Sequence, residues 1–474
     1  MSSRPGQDSL AELLFGHPFP DDEGLIHTVD ATVTAGAARA GARAMAVTLR
    51  SAGVAPGAAV MVRLPNKPSF VTAMFGIWAA GAVLVPGNPR QPAGELEAAL
   101  QVIRPAAVLD EDGLAPGASD PAAYPEEVAF VTWTSGTTGA PKPILHSHGG
   151  YRELLDRVLG SLRTRPADPA HRPAPNLVPV SLALNAGLYQ VLFGLRAGAD
   201  LVLMERFETG PFAELVRRHG IRSTVLPPAA MVMLTDDAAV TDLTPLRYVR
   251  SITAPLSPLA ARRFAAKFGV SVLNSYGQAE LGEVIGWTAE DARAHPDKLG
   301  AAGRPHPNVA IRLVDPAGED VEAGQAGELL VRTPRMAVGY AGGATMDDRV
   351  DSQGFVRTGD YARVDADGFV WIEGRVSDVI NRGGNKVFPD QVEEVLLLSP
   401  RVSEAAVVGV PDRRLGEVPV AFVVGEADPE ELDALCREHL TPYKVPVEFR
   451  RIGALPRSEV GKVLRRELAA RYEG

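Results

Sequence analysis

Val131-Thr-Trp-Thr-Ser-Gly-Thr-Thr-Gly-Ala-Pro-Lys-Pro143 is the stretch on which the reading of this chain turns. The residues Val128 to Trp133 that lead into it are apolar or β-branched, the composition of a short buried strand. Ser135-Gly-Thr-Thr-Gly139 then packs three hydroxyls and two glycines into five positions. Glycine lets backbone N–H groups approach an anion closely, and the hydroxyls add donors aimed at the same place. Lys142 supplies a compact positive charge suited to a polyphosphate. A P-loop would need Ser or Thr after the lysine, at the mouth of a helix. Here Lys142 stands between Pro141 and Pro143, so no helix starts. A phosphate-holding loop at the end of a buried strand is expected.

Outward from that loop, the chain is long for one domain: 474 residues imply two or three units. Hydrophobic residues make up 46% and charged residues 22%, enough apolar material for large cores. The net charge of −10, with no long basic run, speaks against nucleic acid or an anionic membrane surface as the main partner. One cysteine, Cys436, excludes an internal disulfide framework and a Cys-rich metal site. It lies in the helical pattern Glu431–Leu440, where a half-buried structural thiol is expected. Met1 to Leu10 is polar without an apolar run, and the apolar segment from Pro68 splits into a helix (Ser69–Ala80) and a strand (Ala82–Pro86). A cytoplasmic protein, monomer or homodimer, is expected.

Residues 1 to about 30 read as irregular, and Thr32–Ala52 as a helix stopped by Gly53-Val-Ala-Pro-Gly57. Ala58–Leu64 is a strand, so the order is β-α-β and a parallel α/β layer follows. Ala106–Asp110 is another strand, and Asp112–Tyr124 reads as a loop. Strands are expected at Ala199–Met204, Ser223–Leu226, Leu243–Thr253 and Val270–Leu273, with a helix at Ala186–Leu195. Past Gly303, Val309–Val314 and Gly327–Arg332 suggest an antiparallel β-subdomain. Helices at Pro389–Leu398, Pro429–Leu440 and Lys462–Tyr472, with strands at Glu404–Val410 and Val418–Val424, make a separate α+β unit. The fold class is therefore α/β: a layered body with a β-subdomain, residues 1–376, hinged near Ser377 to a small lid, 377–474.

Four further strings bear on chemistry: Asn274-Ser-Tyr-Gly-Gln-Ala-Glu280 after a strand, Val356-Arg-Thr-Gly-Asp360 before one, Arg375 at the linker, and Leu455-Pro-Arg-Ser-Glu-Val-Gly-Lys462 near the end. In this order, with the phosphate string, they resemble the acyl-adenylate-forming superfamily: acyl- and aryl-CoA ligases, adenylation domains of peptide synthetases, and luciferases. Arg63-Leu-Pro-Asn-Lys-Pro68 and Ala80-Gly-Ala-Val-Leu-Val-Pro86 are similar to the early framework of acyl-CoA ligases. The resemblance implies ATP, Mg²⁺ and a pantetheine thiol, of CoA or of a carrier protein, as cofactors and partners beside a small carboxylic acid. A carboxylate attacking the α-phosphate brings two anions together, so positive charge and donors must match the transition state.

By resemblance, Lys462 reaches the carboxylate and α-phosphate. Thr134, Ser135, Gly136, Thr137, Thr138 and Gly139, with Lys142, hold the phosphates. Glu280 and Thr138 place Mg²⁺, a hard cation that takes oxygen ligands. Asp360 accepts from the ribose hydroxyls with Arg375 beside it. Tyr276 lies against the adenine, with Asn274 and Ser275 before it and Thr253-Ala254 along its edge; a core aromatic is the alternative for Tyr276. Departures from the family pattern are Ala279 where Thr is commoner, Ser377 at the hinge, Gln391 for a frequent Glu, and Leu184 where a His or aromatic gate is common.

The acid pocket is expected around Asn185, Ala254 and Gly277, with Leu184, Ala229 and Leu256 nearby. Members for α-amino acids usually carry Asp near the Asn185 position. A neutral amide hydrogen-bonds a hydroxyl, amine or carbonyl but cannot balance a buried ammonium. An aryl or short unsaturated acid is therefore favoured, although Asn185 is equally suited to capping the following helix. Arg382-Gly-Gly-Asn-Lys386 resembles the loop that forms the pantetheine tunnel. It does not separate CoA from a carrier protein, and a non-catalytic homologue disagrees with the intact Lys462, Glu280, Asp360 and Arg375.

Overall fold

The computed structural model describes residues 9–133, 142–162, 172–252, 254–333, 337–342, 346–457 and 463–473. They form two compact units, Met1–Val309 with Thr333–Asp348, and Ala310–Arg332 with Arg349–Gly474.

The strand Val128–Trp133 forms where its sequence places it, with its first five residues buried. It pairs in parallel with Val83–Pro86 and antiparallel with Pro143–Ser147, Trp133 opposite Pro143. The phosphate string thus joins two neighbouring antiparallel strands, a connection that needs no helix. Four more strands, including Gly339–Tyr340, complete a seven-stranded sheet. Helix Pro68–Ala79 covers it and buries Phe70, Val71, Met74, Phe75, Ile77 and Trp78. An all-round apolar helix is stable only inside a core, and each such aromatic contributes about 1.5–3 kcal/mol. Trp78 Nε1–H donates to Ala129 O at 2.7 Å, tying the helix to the strand that feeds the phosphate string. Its partner helix, Ala35–Ser51, comes so close that a Cβ on Gly76 would sit 2.6 Å from Met45 Cβ.

A nine-stranded sheet forms the other half of the first unit. Its central strands Leu201–Leu203, Asn176–Val178, Ser223–Leu226, Tyr248–Ser251 and Ser271–Gln278 run parallel. Two expectations fail at its edge. Thr32 to Thr34 is a strand, with Thr34 capping the helix through its hydroxyl to Ala37 N–H. The supposedly irregular N-terminal segment also contributes Gly24–His27, paired in parallel with Leu201–Leu203. Short strands of three or four residues carry too little alternation to announce themselves. Gly113–Pro116, read as loop, is likewise a strand, zipped against Ala107–Asp110 by a tight hairpin. The strand predicted to end at Leu273 runs on to Gln278, because the antiparallel partner Gly282–Gly286 supplies its hydrogen bonds.

The second unit holds an antiparallel four-stranded sheet and a five-stranded mixed sheet. Val356-Arg-Thr-Gly-Asp360 does not precede a strand; it is the first half of the strand Val356–Val364. Ser377 falls between the two sheets, in a short 3-10 turn, Val376–Asp378. Helices Pro389–Leu396 and Pro429–His439 and the closing helix Arg465–Glu473 match their predicted segments, with later starts or earlier ends. Cys436 is fully buried, not half-buried, and burial pushes its thiol up to about 12, an inert structural group.

Candidate active site

The parallel strands of the first unit carry the predicted pocket residues at or beyond their carboxyl ends, the usual ligand edge of such sheets. Asn185 follows Asn176–Val178, Ala229 follows Ser223–Leu226, Ala254 follows Tyr248–Ser251, and Tyr276 and Gly277 end Ser271–Gln278. Gly277 admits no side chain, because a Cβ there would lie 2.1 Å from Gly282 O across the hairpin. Ala254 is exposed, and Tyr276 is half-buried with its hydroxyl 3.3 Å from Gln278 Nε2.

An open cleft of about 370 Å³ has Asn185, Glu280, Tyr151 and His146 in its walls. Helix Asn185–Ala197 starts at Asn185 itself; its cap is Leu184, extended and without a side-chain cap bond. The Asn185 side chain therefore does not cap the helix. Its Oδ1 accepts from Tyr151 O–H at 3.0 Å. Burial raises the Tyr151 phenol far above its ordinary value, so it stays a neutral donor. Burial also lowers His146 to about 3, and this uncharged imidazole lies 2.7 Å from Thr132 Oγ1 and stacks on Phe130. Glu280 is buried, and its Oε1 accepts from Tyr340 O–H at 3.1 Å. Lys142 Nζ lies 5.6 Å from the centre of that same Tyr340 ring. Tyr340, which stands opposite Ile144 in its strand pair, thus meets both the carboxylate and the lysine that the sequence singled out.

Asn274 and Ser275 each bond the backbone through their side chains. Asn274 Nδ2 donates to Ala301 O at 3.2 Å and its Oδ1 accepts from Ser275 N–H at 3.0 Å. Ser275 Oγ donates to Ser251 O at 3.1 Å. Both side chains are engaged with backbone, fixing the strand whose end carries Tyr276.

Within the second unit, Asp360 and Arg375 face each other across neighbouring strands. Arg375 Nε is 2.9 Å from Asp360 Oδ1, and Asp360 is only 4% exposed. A carboxylate is acceptor-only, with several lone-pair positions on its two oxygens, the type of group that ribose hydroxyls donate to. Lys462 and the string Thr134–Gly139, including Ser135, Gly136, Thr137 and Thr138, lie outside the described residues, as does Thr253.

Sequence reasoning missed Tyr151, His146 and Tyr340. No motif flags them, since each acts only through a partner distant in the chain. A buried polar triad nearby was also unseen: Glu283 Oε1 accepts from Arg250 and lies 3.0 Å from His306 Nε2.

Comparison with known proteins gives the family. The model of the AMP-binding enzyme family matches residues 16–122 and 110–341, and that of its C-terminal domain matches 391–462. The chain belongs to the AMP-binding enzyme family. It is similar to a fatty acid–[acyl-carrier-protein] ligase of Streptomyces coeruleorubidus, 31% identical over 91% of this chain and 90% of the relative. A 4-coumarate–CoA ligase-like protein of Oryza sativa subsp. japonica is 32% identical over 89% of this chain and 84% of its own. Among solved structures, an amide bond synthetase of Marinactinospora thermotolerans superposes with a TM-score of 0.84 at 27% identity, covering 98% and 99% of the two chains. The protein is an AMP-forming ligase that activates a carboxylic acid as its acyl-adenylate. Among the described residues no helix is long and apolar enough to cross a membrane.

Proposed function

We propose that this enzyme adenylates a small aryl or short unsaturated carboxylic acid and transfers the acyl group to the pantetheine thiol of CoA. The observation that carries the acid is the pairing of Tyr151 with Asn185 in a cleft also lined by the uncharged His146 and by Glu280, whose carboxylate accepts from Tyr340. With Glu280 assigned to Mg²⁺, the Tyr151–Asn185 pair hydrogen-bonds a neutral substituent and meets an α-ammonium with a neutral amide where a carboxylate would balance it.

ATP fits the residues at hand. Lys142 stands at the end of the phosphate string and Asp360–Arg375 offers the ribose a carboxylate. Mg²⁺ fits as well: in phosphate sites it takes one or two carboxylates plus phosphate oxygens, and Glu280 is a buried carboxylate in the cleft wall. Glu280, oriented by Tyr340, would be that carboxylate, with Thr138 beside it. The metal would neutralise phosphate charge while Lys462 stabilises the attacking carboxylate and the α-phosphate. Tyr276 would lie along the adenine.

For the acceptor, Arg382–Lys386 forms the tip of a hairpin, Ile380–Arg382 against Asn385–Val387, suited to line a pantetheine passage. The rice relative's name, with CoA, supports that acceptor; the Streptomyces relative's name supports a carrier protein as the second reading. Pyrophosphate release over a panel of acids, with CoA, a phosphopantetheinylated carrier protein or an amine as acceptor, tests both. Acid-dependent release with benzoate- or cinnamate-type acids, and thioester formation only with CoA, is expected. Preference for amino acids or long-chain acids overturns the acid, and exclusive loading of carrier protein or amine overturns the acceptor.

A further inference from the structure

The closing helix of the second unit begins with Arg465, three residues after Lys462 in the sequence. Its guanidinium is surrounded by carboxylates from three places in the chain. Nη2 donates to Asp390 Oδ1 at 2.8 Å and to Glu393 Oε2 at 3.2 Å, and Nη1 donates to Glu393 Oε1. Nε lies 3.7 Å from Asp378 Oδ2, the residue after Ser377 in the hinge turn. Nη1 also reaches Val407 O at 3.4 Å, and Glu393 Oε1 accepts from Val407 N–H at 2.7 Å. Asp390 and Glu393 lie three apart on helix Pro389–Leu396, hence on one face. Burial, opposed by Arg465, raises Glu393, so this acid depends on the guanidinium for its charge. Asp390 also feels the fields of Arg375 and Asp360, the pair assigned to the ribose.

We infer that Arg465 is a positioning residue for adenylation: it ties the chain segment just after Lys462 to the hinge carboxylate Asp378 and to the helix carboxylates Asp390 and Glu393, fixing that segment against the Asp360–Arg375 pair. The guanidinium fork suits this task, since its five donors serve several oxygens at once, which an ammonium cannot match in a fixed geometry. The inference rests on Lys462 acting in adenylation. A catalytic group misplaced by roughly 1 Å costs about 10²-fold in rate. The clamp therefore acts on turnover in the first half-reaction and not on ATP affinity.

The test uses the full-length enzyme and the variants Arg465→Gln, Arg465→Lys, Asp378→Asn and Lys462→Ala. Acid-dependent ATP–pyrophosphate exchange gives kcat and KM for ATP, thiolysis of supplied acyl-adenylate reports the second half-reaction, and circular dichroism reports folding. For Arg465→Gln, a fall in exchange kcat of about 10²-fold is expected, with KM for ATP and thiolysis within about two-fold of wild type. Arg465→Lys should recover part of the loss, and Asp378→Asn should show a smaller loss in exchange alone. Where Arg465→Gln does not fold, Arg465→Lys and Asp378→Asn carry the test, since each leaves most of the cluster intact. Equal loss of both half-reactions, or a raised KM for ATP with unchanged kcat, overturns the inference. Normal exchange in Lys462→Ala overturns the underlying reading instead. A crippled Lys462→Ala beside unaffected Arg465→Lys and Asp378→Asn overturns the inference alone.

Discussion

Replacing Asn185 by Asp puts a carboxylate into the cleft at a known place, within hydrogen-bond reach of Tyr151 O–H, which lies 3.0 Å from the present amide oxygen. That phenol remains a donor, and a bond to a charged acceptor is worth about 1.5–3 kcal/mol, so the variant is expected to fold. Among the described residues of the cleft wall no Lys or Arg offsets the new charge: His146 is held neutral by burial, and Glu280 has the same sign. A substrate carboxylate roughly 5 Å away, at an effective dielectric of about 20, is repelled by about 3 kcal/mol. That corresponds to a loss in kcat/KM on the order of 10² for the native acid. An α-amino counterpart brings its own ammonium and suffers less, so the amino-to-plain ratio should rise. Acid-dependent pyrophosphate exchange with benzoate-type acids beside their α-amino analogues, for wild type and Asn185→Asp, measures both effects. Capping offers no competing account, because Leu184 holds the cap position without a side-chain bond. An unchanged acid profile in a folded variant would refute the assignment of Asn185 to the acid.

Lys462→Ala should lower acid-dependent ATP–pyrophosphate exchange by about 10²–10³, with thiolysis of supplied acyl-adenylate largely preserved. Near-normal exchange would remove Lys462 from the mechanism. Ser377→Pro fixes φ in the turn Val376–Asp378 and restricts Val376, so it should spare adenylation and abolish transfer; equal loss in a folded protein would move the hinge elsewhere. Glu283→Gln leaves Arg250 buried without its counter-charge, and urea denaturation should show a loss of about 3–5 kcal/mol; a change below about 1 kcal/mol would contradict the pairing. Burial lowers His148 from 6.5 to about 4, and its Nδ1 accepts from Leu10 N–H at 3.1 Å. The folded state therefore binds fewer protons than the unfolded chain in that window. The contribution is complete above about 6.5 and is lost as pH falls toward about 4. Denaturant midpoints between these limits should fall less steeply in His148→Asn, which keeps an acceptor but does not titrate; parallel slopes would exclude His148 from the acid limb.

Much of this protein was legible before its coordinates. The run Val128–Trp133, apolar or β-branched, specified a buried strand because local composition alone decides it. The all-apolar helix Pro68–Ala79 and the helices of the second unit were legible for a similar reason: their periodicity is a property of neighbouring residues. Strands of three or four residues were not, since Gly24–His27 and Gly113–Pro116 exist only through the partners that pair with them. The site divides along the same line. Glu280, Asp360 and Arg375 could be named from short strings, but that Arg375 holds Asp360, or that Tyr340 holds Glu280, depends on which strands lie side by side. Asn185 shows the difference most sharply. Residue type allowed it to be either a helix cap or a pocket group with equal chemistry. Only the packing of Tyr151 against the start of its helix, 34 residues away in the chain, gave its amide oxygen a partner and turned the side chain into the cleft.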